Sequence, residues 1–158
     1  MIILVMGVSG SGKTSVGKKL AESLGYKFAD ADDFHSQQNV EKMHNGIALD
    51  DADRLPWLQK IQDVIKHCLS EKKNLVLTCS ALKESYRQML LIDRDVKLVY
   101  LKGSFELIHK RLKERLNHFM SEKLLKTQFD TLEEPLDAVT VDISQPLEVI
   151  VQNIVDQL

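Results

Sequence analysis

The chain has 158 residues, 44% of them hydrophobic, which is enough to bury the core of one domain. Its net charge of -2 excludes the basic field that nucleic acid or an anionic membrane surface requires, so we expect small-molecule partners. There is no apolar run of membrane-spanning length, and Cys68 and Cys79 lack metal-ligand spacing, so we expect a cytoplasmic protein with reduced, packed thiols.

The N-terminal stretch combines an apolar strand, a glycine-rich loop and a helix. Residues 2–6 have the composition of a buried parallel strand, GVSGSGKT at residues 7–14 fits the phosphate-loop pattern GxxxxGK[ST], and residues 14–24 have helical spacing. Such a loop turns backbone amides toward phosphate oxygens, while a lysine adds charge and a threonine hydroxyl suits Mg²⁺. The predicted nucleotide-binding residues here are Gly7, Gly10, Ser11, Gly12, Lys13, Thr14 and Ser15, with Lys13 also catalytic and Thr14 a metal ligand.

The second predicted strand ends in carboxylates. It leads into DADDFH, residues 30–35, and the carboxyl ends of strands face the ligand in α/β sheets. If the strand pleat persists, Asp30 and Asp32 share a face and Asp33 points elsewhere. Phosphoryl transfer to an alcohol needs one carboxylate near Mg²⁺ and one near the acceptor hydroxyl, and this pair could supply both. The alternative is a solvated acidic turn.

The rest of the chain alternates helices and strands. Residues 36–50 predict a short helix and a loop, with a turn at Asn45-Gly46, and Asp51 or Asp53 is expected to cap a helix that ends near Ser70. Pro56 is expected in the first turn of that helix. Further strands are predicted at residues 75–79, 96–101 and 138–143, and further helices within 81–91, 105–116 and 147–158. Leu55, Leu58, Ile61, Ile65 and Leu69 are expected along one side of the helix that follows Asp50.

This alternation predicts a single α/β domain over residues 1–158. It implies a parallel sheet with right-handed crossovers and helices on both faces, which makes three layers. Residues 117–130 do not continue the preceding amphipathic stripe, and we interpret them as a mobile lid.

Two groups of cations suit the two substrates of a transfer reaction. Arg111 and Arg115 lie four apart on one side of a helix, where Arg111 could stack on adenine and Arg115 could neutralise charge on the transferring phosphoryl group. A second group near the acceptor end of the sheet suggests an anionic acceptor. The alternative for both groups is exposed helix charge. The second group is Arg54, Lys83 and Arg87.

The remaining polar and aromatic candidates carry weaker signals. His35, His44 and His118 have no metal-ligand spacing, and only His118, inside the lid, is favoured as functional. Trp57 is expected in the core, and Ser80 stands just beyond the third strand. The candidate substrate-binding residues are Asp32, Arg54, Ser80, Lys83, Arg87 and His118.

The phosphate loop alone is compatible with kinases, GTPases and motor ATPases. However, NKxD is missing, and no aspartate ends the strand at residues 75–79, where an ATPase often carries its metal-binding acid. These observations favour a small-molecule kinase.

Seven ordered motifs, spread over nearly the whole chain, resemble gluconate kinases of the small phosphate-loop type, relatives of shikimate kinase and the nucleoside monophosphate kinases. LDDADRLPWL and QFDTLEEP are specific to that family, whereas GVSGSGKT is shared widely. The motifs are MGVSGSGKT, DADDFH, NGIALDDADRLPWL, CSALKESYR, YLKGSFELIHKRL, HFMSEKLLKTQFDTLEEP and VDISQPLEVI.

The resemblance implies ATP- and magnesium-dependent phosphorylation of D-gluconate at its C6 hydroxyl, on five parallel strands and usually in a homodimer. It implies that Asp32 meets the acceptor hydroxyl, that Asp30 holds the metal through water and that Arg54 meets substrate. Arg111 would enclose adenine together with the loop at residues 142–146, which contributes Gln145 and Pro146.

Two other functions stay open at this point. A kinase of the same fold for another small acid, such as shikimate, or for a nucleotide would share every donor-side residue. A nucleotide-dependent regulatory binding module would bind nucleotide tightly without turnover that an acceptor stimulates.

Overall fold

The computed structural model describes residues 1–114 and 122–158, and these form a parallel β-sheet with helices on both faces. No helix in these two ranges is long and apolar enough to cross a bilayer. The strands are β1 Ile2–Met6, β2 Lys27–Asp30, β3 Leu75–Thr78, β4 Val96–Lys102 and β5 Val139–Asp142. The helices are α1 Lys13–Leu24, α2 Gln37–His44, α3 Asp51–Ser70, α4 Glu84–Leu90, α5 Phe105–Glu114, α6 Glu122–Thr131 and α7 Leu147–Gln157, with a 3-10 helix at Ala31–Phe34.

The sheet has the strand order β2-β3-β1-β4-β5, and all neighbouring strands are parallel. The central strand β1 pairs with β3 and with β4, Ile2 standing opposite both Leu75 and Val96. Because the strands are parallel, their carboxyl ends meet at one edge of the sheet. The phosphate loop after β1, the acidic segment after β2 and Ser80 after β3 therefore come together there.

The two faces of the sheet carry separate cores. Ile2, Leu4 and Met6 of β1 pack with residues of α3 and α4 on one face, whereas Ile3 and Val5 pack with α1, α5 and α7 on the other. Every residue of β1 is fully buried, as expected for a parallel strand covered on both sides. The α/β, three-layer prediction is confirmed. Cys68 and Cys79 are buried free thiols, and burial raises the pKa of Cys79 to about 12.

The acidic segment after β2 differs from the prediction. The strand ends at Asp30, whose carboxylate accepts a hydrogen bond from the Asp32 amide at 2.9 Å and so caps the 3-10 helix. The strand pleat therefore does not persist to Asp32. Asp30 is the last residue of the strand, and Asp32 lies in the 3-10 helix that follows it.

Helix α3 also begins differently from the prediction. Its N-cap is Asp50, which accepts from the Asp53 amide at 2.7 Å while the Asp53 carboxylate accepts from the Asp50 amide at 3.1 Å. This reciprocal pair satisfies two amides at the helix start. Pro56 becomes the sixth residue of the helix and lies beyond the first turn. Leu55 is 48% exposed, so the buried stripe of α3 begins at Trp57.

Helix α6 occupies much of the segment predicted as a lid. It covers Glu122–Thr131 and buries Leu124 and Leu125. Residues 117–121 of the predicted lid lie outside the described residues, and so do Arg115 and His118.

Candidate active site

The phosphate loop joins β1 to α1 in a conformation that requires glycine. Gly10 has φ +82 and Gly12, the N-cap of α1, has φ +94, both in the left-handed region. A Cβ on Gly10 would also lie 2.7 Å from Leu112 Cδ2 of α5. The loop is therefore closely packed against α5. Its amides and the amino end of α1 lie at the carboxyl edge of the sheet, a suitable environment for phosphate.

Lys13 places its ammonium group inside the loop. Its Nζ donates to the carbonyl oxygens of Gly7 at 2.9 Å and of Val8 at 3.1 Å. Desolvation by burial lowers the pKa of Lys13, and the charges of Asp32, Cys79 and Asp30 oppose that shift. The ammonium is thus poorly hydrated and exposed to the field of Asp32, so it can interact strongly with an anion that enters the loop.

Thr14 and Asp30 bring two hard oxygen groups together next to the loop. The Thr14 hydroxyl donates to Asp30 Oδ2 at 3.4 Å, and the other oxygen of Asp30 is occupied by the Asp32 amide. Mg²⁺ prefers oxygen ligands and keeps several of its waters. A hydroxyl and one carboxylate at this spacing fit such an ion.

Asp32 and Lys13 line the same cavity, close enough for their charges to interact. Desolvation raises the pKa of Asp32 above its usual 3.8; the charge of Lys13 opposes that shift, and the charges of Asp30 and Asp33 add to it. A carboxylate with a raised pKa is a better proton acceptor than an ordinary aspartate. Such a carboxylate near an ammonium group could serve as the base of a transfer reaction.

The cavity has a volume of about 360 Å³ and lies between the phosphate loop, α2, α3 and α6. Its apolar wall comes mainly from α2 and the loop that follows it, through Val40, Met43, Ile47, Ala48 and Leu49. The size suits a small molecule. The polar and charged lining residues are Ser9, Lys13, Asp32, His35, His44, Arg54, Ser80, Thr127, Gln128 and Thr131.

Arg54 lines the cavity, and its guanidinium contacts Tyr86 of α4. Its Nη1 donates to the Tyr86 hydroxyl at 3.2 Å, and the guanidinium lies 5.6 Å from the centre of the Tyr86 ring. The Tyr86 hydroxyl donates in turn to Asp51, which also binds Lys83 Nζ at 2.8 Å. This network fixes Arg54, whereas Lys83 is paired with Asp51 and does not line the cavity.

Arg87, which was predicted to bind substrate, does not line the cavity. Only 1% of its side chain is exposed, and it donates to the carbonyl oxygens of Ala81, Leu82 and Glu133 at 2.7–3.1 Å and to the Glu84 carboxylate at 3.0 Å. The Arg87 guanidinium therefore makes its hydrogen bonds within the protein rather than to a ligand in the cavity. Sequence spacing could not show this, because a buried and an exposed arginine have the same i, i+4 pattern.

Helix α6 is joined to the phosphate loop by Gln128. Its Oε1 accepts from the Ser9 amide at 2.7 Å, and its Nε2 donates to Ser9 Oγ at 3.2 Å. The sequence placed Ser9 in the phosphate loop and Gln128 in the predicted lid but did not predict this contact between them. The available signals were the place of Ser9 in the phosphate loop and that of Gln128 in the family-specific motif QFDTLEEP.

Arg111 lies against the loop at residues 142–146. Its Nη2 donates to the Ile143 carbonyl at 2.6 Å, and its charge adds to the bonds from Ser144 that lower the pKa of Asp142. Gln145 binds Asn153 at 3.1 Å, and Pro146 is the N-cap residue of α7. Arg111 and this loop are therefore neighbours, as the resemblance implied.

Comparisons with known proteins give the family. The family model for shikimate kinase matches residues 9–158. The chain is 42% identical to the thermoresistant gluconokinase of Escherichia coli (strain K12), over 98% of this chain and 91% of the relative. It is 44% identical to a gluconokinase from Sinorhizobium meliloti 1021 of known crystal structure, with a TM-score of 0.86 and coverage of 96% of this chain and 87% of that one. An unliganded sugar kinase from Janibacter sp. HTCC2649 is 38% identical, with a TM-score of 0.91 over 98% of this chain and 92% of that one. The chain therefore belongs to the gluconokinase family and has the fold of the phosphate-loop kinases.

Proposed function

We propose that this chain, as a single domain over residues 1–158, transfers the γ-phosphoryl group of ATP to the C6 hydroxyl of D-gluconate, giving 6-phospho-D-gluconate and ADP. The observation that carries the proposal is the shared cavity. It holds Lys13 beside the phosphate loop, Asp32 facing that lysine and Arg54 on the acceptor side. The names of relatives at 42–44% identity support the choice of gluconate as acceptor.

On the donor side, the loop binds the triphosphate through backbone amides and the ammonium group. Lys13 exchanges its two carbonyl partners for phosphate oxygens, which are better partners for a cation. Thr14 and Asp30 hold Mg²⁺, which when bound neutralises phosphate charge. Ser11 and Ser15 complete the loop, Arg111 with Gln145 and Pro146 encloses adenine, and Arg115 stabilises charge on the transferring group.

On the acceptor side, Asp32 orients the C6 hydroxyl and accepts its proton. The hydroxyl oxygen bonds to the γ-phosphorus while the bond from that phosphorus to the β,γ-bridging oxygen breaks, so ADP leaves with the electron pair. Arg54 binds the carboxylate of the acceptor with its guanidinium. Ser80 and His118 contribute further polar contacts.

Water must be kept out during transfer because it is a competing acceptor. We assign this role to the lid at residues 117–130, of which α6 forms the described part. Helix α6 lines the cavity with Leu124, Thr127 and Gln128 and buries Leu125 in the core. Closure driven by the acceptor would restrict ATP hydrolysis.

The test is a coupled ADP-release assay with D-gluconate, other sugar acids, shikimate and nucleoside monophosphates as acceptors, each with ATP and Mg²⁺. We expect gluconate to give the highest kcat/KM, and omission of Mg²⁺ to remove turnover. A higher kcat/KM for shikimate or a nucleotide would show that gluconate is not the preferred acceptor. Tight nucleotide binding without any acceptor-stimulated turnover would instead favour a regulatory binding module.

We further expect a cytoplasmic homodimer, on the basis of the family resemblance. Light scattering coupled to gel filtration should then give twice the chain mass of 18.0 kDa. A mass equal to one chain would contradict the dimer and leave the proposed reaction unaffected.

A further inference from the structure

His35 lies on the acceptor side of the cavity with its ring held in a fixed plane. The ring stacks on Trp57 with centroids 4.1 Å apart and an interplanar angle of 14°. Trp57 is itself buried, and its Nε1 donates to the Ala31 carbonyl at 2.6 Å. The plane of the imidazole is therefore set by stacking on the Trp57 ring, which its own hydrogen bond holds in place.

Asn39 determines which ring nitrogen of His35 carries the proton. Asn39 Nδ2 lies 3.3 Å from His35 Nδ1 and donates to the Asp53 carbonyl at 2.9 Å. Turning the amide over would put its oxygen against that carbonyl oxygen, so the orientation is fixed. An amide nitrogen only donates, and His35 Nδ1 must therefore accept. The proton of the neutral ring then sits on Nε2.

The ring adds a donor to the cavity without adding charge. Burial, together with the nearby charge of Arg54, lowers the pKa of His35 to about 4, so the imidazole is neutral at pH 7. Within residues 1–114 and 122–158, the structure records no hydrogen-bond partner for Nε2. Its N–H group is thus available to a molecule in the cavity that His35 lines.

The charges on this side of the cavity match a single negative charge. Lys83 is paired with Asp51, Lys42 with Asp53 and Arg87 with Glu84. Among the described residues that line the cavity, Arg54 is the cation outside the phosphate loop, and its recorded partner is the neutral Tyr86 hydroxyl. One cation and one neutral donor suit a carboxylate, which accepts hydrogen bonds and carries one charge, better than a phosphate dianion.

We propose that His35 is a specificity-determining residue whose Nε2–H group donates to the acceptor's carboxylate beside Arg54. The inference rests on the proposed function, since it names a contact to the sugar acid. It predicts selection for monocarboxylates over phosphomonoesters at this end of the cavity. Asn39 and Trp57 act as positioning residues, because one sets the tautomer and the other sets the ring plane.

The first test needs no substitution. Long-range ¹H–¹⁵N spectra of the wild-type protein with ¹⁵N-labelled histidine should show His35 as the neutral Nε2–H tautomer at pH 7, and adding D-gluconate should shift its Nε2 signal. An Nδ1–H tautomer, an imidazolium, or signals that gluconate does not move would overturn the inference.

The second test is kinetic. His35→Phe keeps a ring against Trp57 but loses the donor, so kcat/KM for gluconate should fall about 10- to 100-fold, mainly through KM, because a desolvated carboxylate oxygen loses its partner. KM for ATP should stay within about 2-fold, and His35→Gln, which restores an amide donor, should recover part of the loss. The control is His67→Phe on the exposed side of α3.

The outcomes separate the inference from the proposed function. Wild-type protein that ignores gluconate would contradict the proposed function itself. Wild-type turnover of gluconate together with an unchanged gluconate KM in His35→Phe would overturn the inference and leave the function standing. If His35→Phe does not fold, the tautomer and the gluconate-induced shift in the wild-type spectra decide.

Discussion

At the scale of single residues, the proposed chemistry depends on the electrostatic interaction between Lys13 and Asp32, which line the same cavity. Burial lowers the pKa of the lysine and raises that of the aspartate, and each charge opposes the shift of the other. An anion bound in the loop would compete with Asp32 for the ammonium, leaving the carboxylate less stabilised as an anion and more basic. In the proposed reaction, donor binding should therefore raise the pKa of Asp32 further.

The pH dependence of the reaction should report on Asp32. The carboxylate must be ionised to accept a proton, so kcat/KM for gluconate should fall as pH drops through its pKa. Because that pKa is raised, the fall should begin above the range of an ordinary aspartate, whose pKa is 3.8. Initial rates from pH 4 to 8 measure this, with protein stability checked at each pH. A flat profile down to pH 4 would contradict the role of Asp32.

Replacing Asp32 by Asn should separate binding from chemistry. The amide keeps the shape of the side chain but cannot accept the proton, so we expect kcat to fall by about 10²- to 10⁴-fold. The Kd for ATP, measured by calorimetry, should change little. Loss of ATP binding in Asp32→Asn would instead place this residue at the metal.

Lys13→Ala should lower kcat by about 10²-fold or more, comparable with losing one preorganised charge stabiliser. The reason is that its ammonium is the cation at the centre of the loop, within 3.1 Å of two loop carbonyls. Lys66→Ala, an exposed position on α3, is the matched control and should leave turnover unchanged. Near-normal turnover in Lys13→Ala would refute the function assigned to the loop.

At the scale of secondary-structure elements, Arg87 connects helix α4 to the segment after α6. It donates to the carbonyl oxygens of Ala81, in the loop beyond β3, and of Glu133, and the Glu133 carboxylate accepts from the Glu84 amide at 2.8 Å. The end of the predicted lid is thereby anchored to the loop beyond β3. An arginine predicted to meet substrate thus acts instead on the framework that holds the cavity wall.

Arg87→Met should therefore lower stability. The methionine fills similar space, but the carbonyls of Ala81 and Glu133 lose their buried donor, which we expect to cost about 3 kcal/mol or more. Urea unfolding measures this, and Arg94→Met at an exposed position is the control. A loss below about 1 kcal/mol would mean that water replaces the guanidinium at these carbonyls.

Gln128→Ala should loosen α6 from the phosphate loop. Both bonds to Ser9 are lost, so the loop is less well ordered before ATP binds, and KM for ATP should rise about 5- to 10-fold. Lys126→Ala on the exposed side of the same helix is the control. An increase in the gluconate KM alone would indicate that α6 serves the acceptor rather than the loop.

At the scale of the whole molecule, the sequence predicted the parts that depend on local signals. The apolar strands, the phosphate loop and the Asn45-Gly46 turn follow from composition and spacing over a few residues, and they are present. Asp32 lines the cavity, although the expected strand face shared with Asp30 is wrong. Its place depends on a hydrogen bond from its own backbone to Asp30, which a pleat rule does not include.

The features that the sequence could not predict depend on tertiary contacts. Asp50, Asp51 and Asp53 are equally good cap residues by type, and the choice of Asp50 is reinforced by the bond from Lys42 of α2 to Asp53. The burial of Arg87 requires carbonyls from residue 133, far along the chain. The ring of His35 contacts both Trp57 and Asn39, and no sequence spacing predicts that these three side chains meet.

The cavity walls come from the phosphate loop, the α2 and α3 region and helix α6, so ligands that touch several walls should stabilise the whole fold. Saturation at about 100 times Kd adds about 2.7 kcal/mol, which for a chain of this length raises Tm by about 5 to 11 °C. We expect ADP with Mg²⁺ and gluconate each to raise Tm, and both together to raise it further. Lys13→Ala should reduce the ADP shift and spare the gluconate shift, because its ammonium contacts only the donor side. Thermal unfolding by circular dichroism measures these shifts, and a full ADP shift in Lys13→Ala would show that phosphate binding does not depend on this lysine.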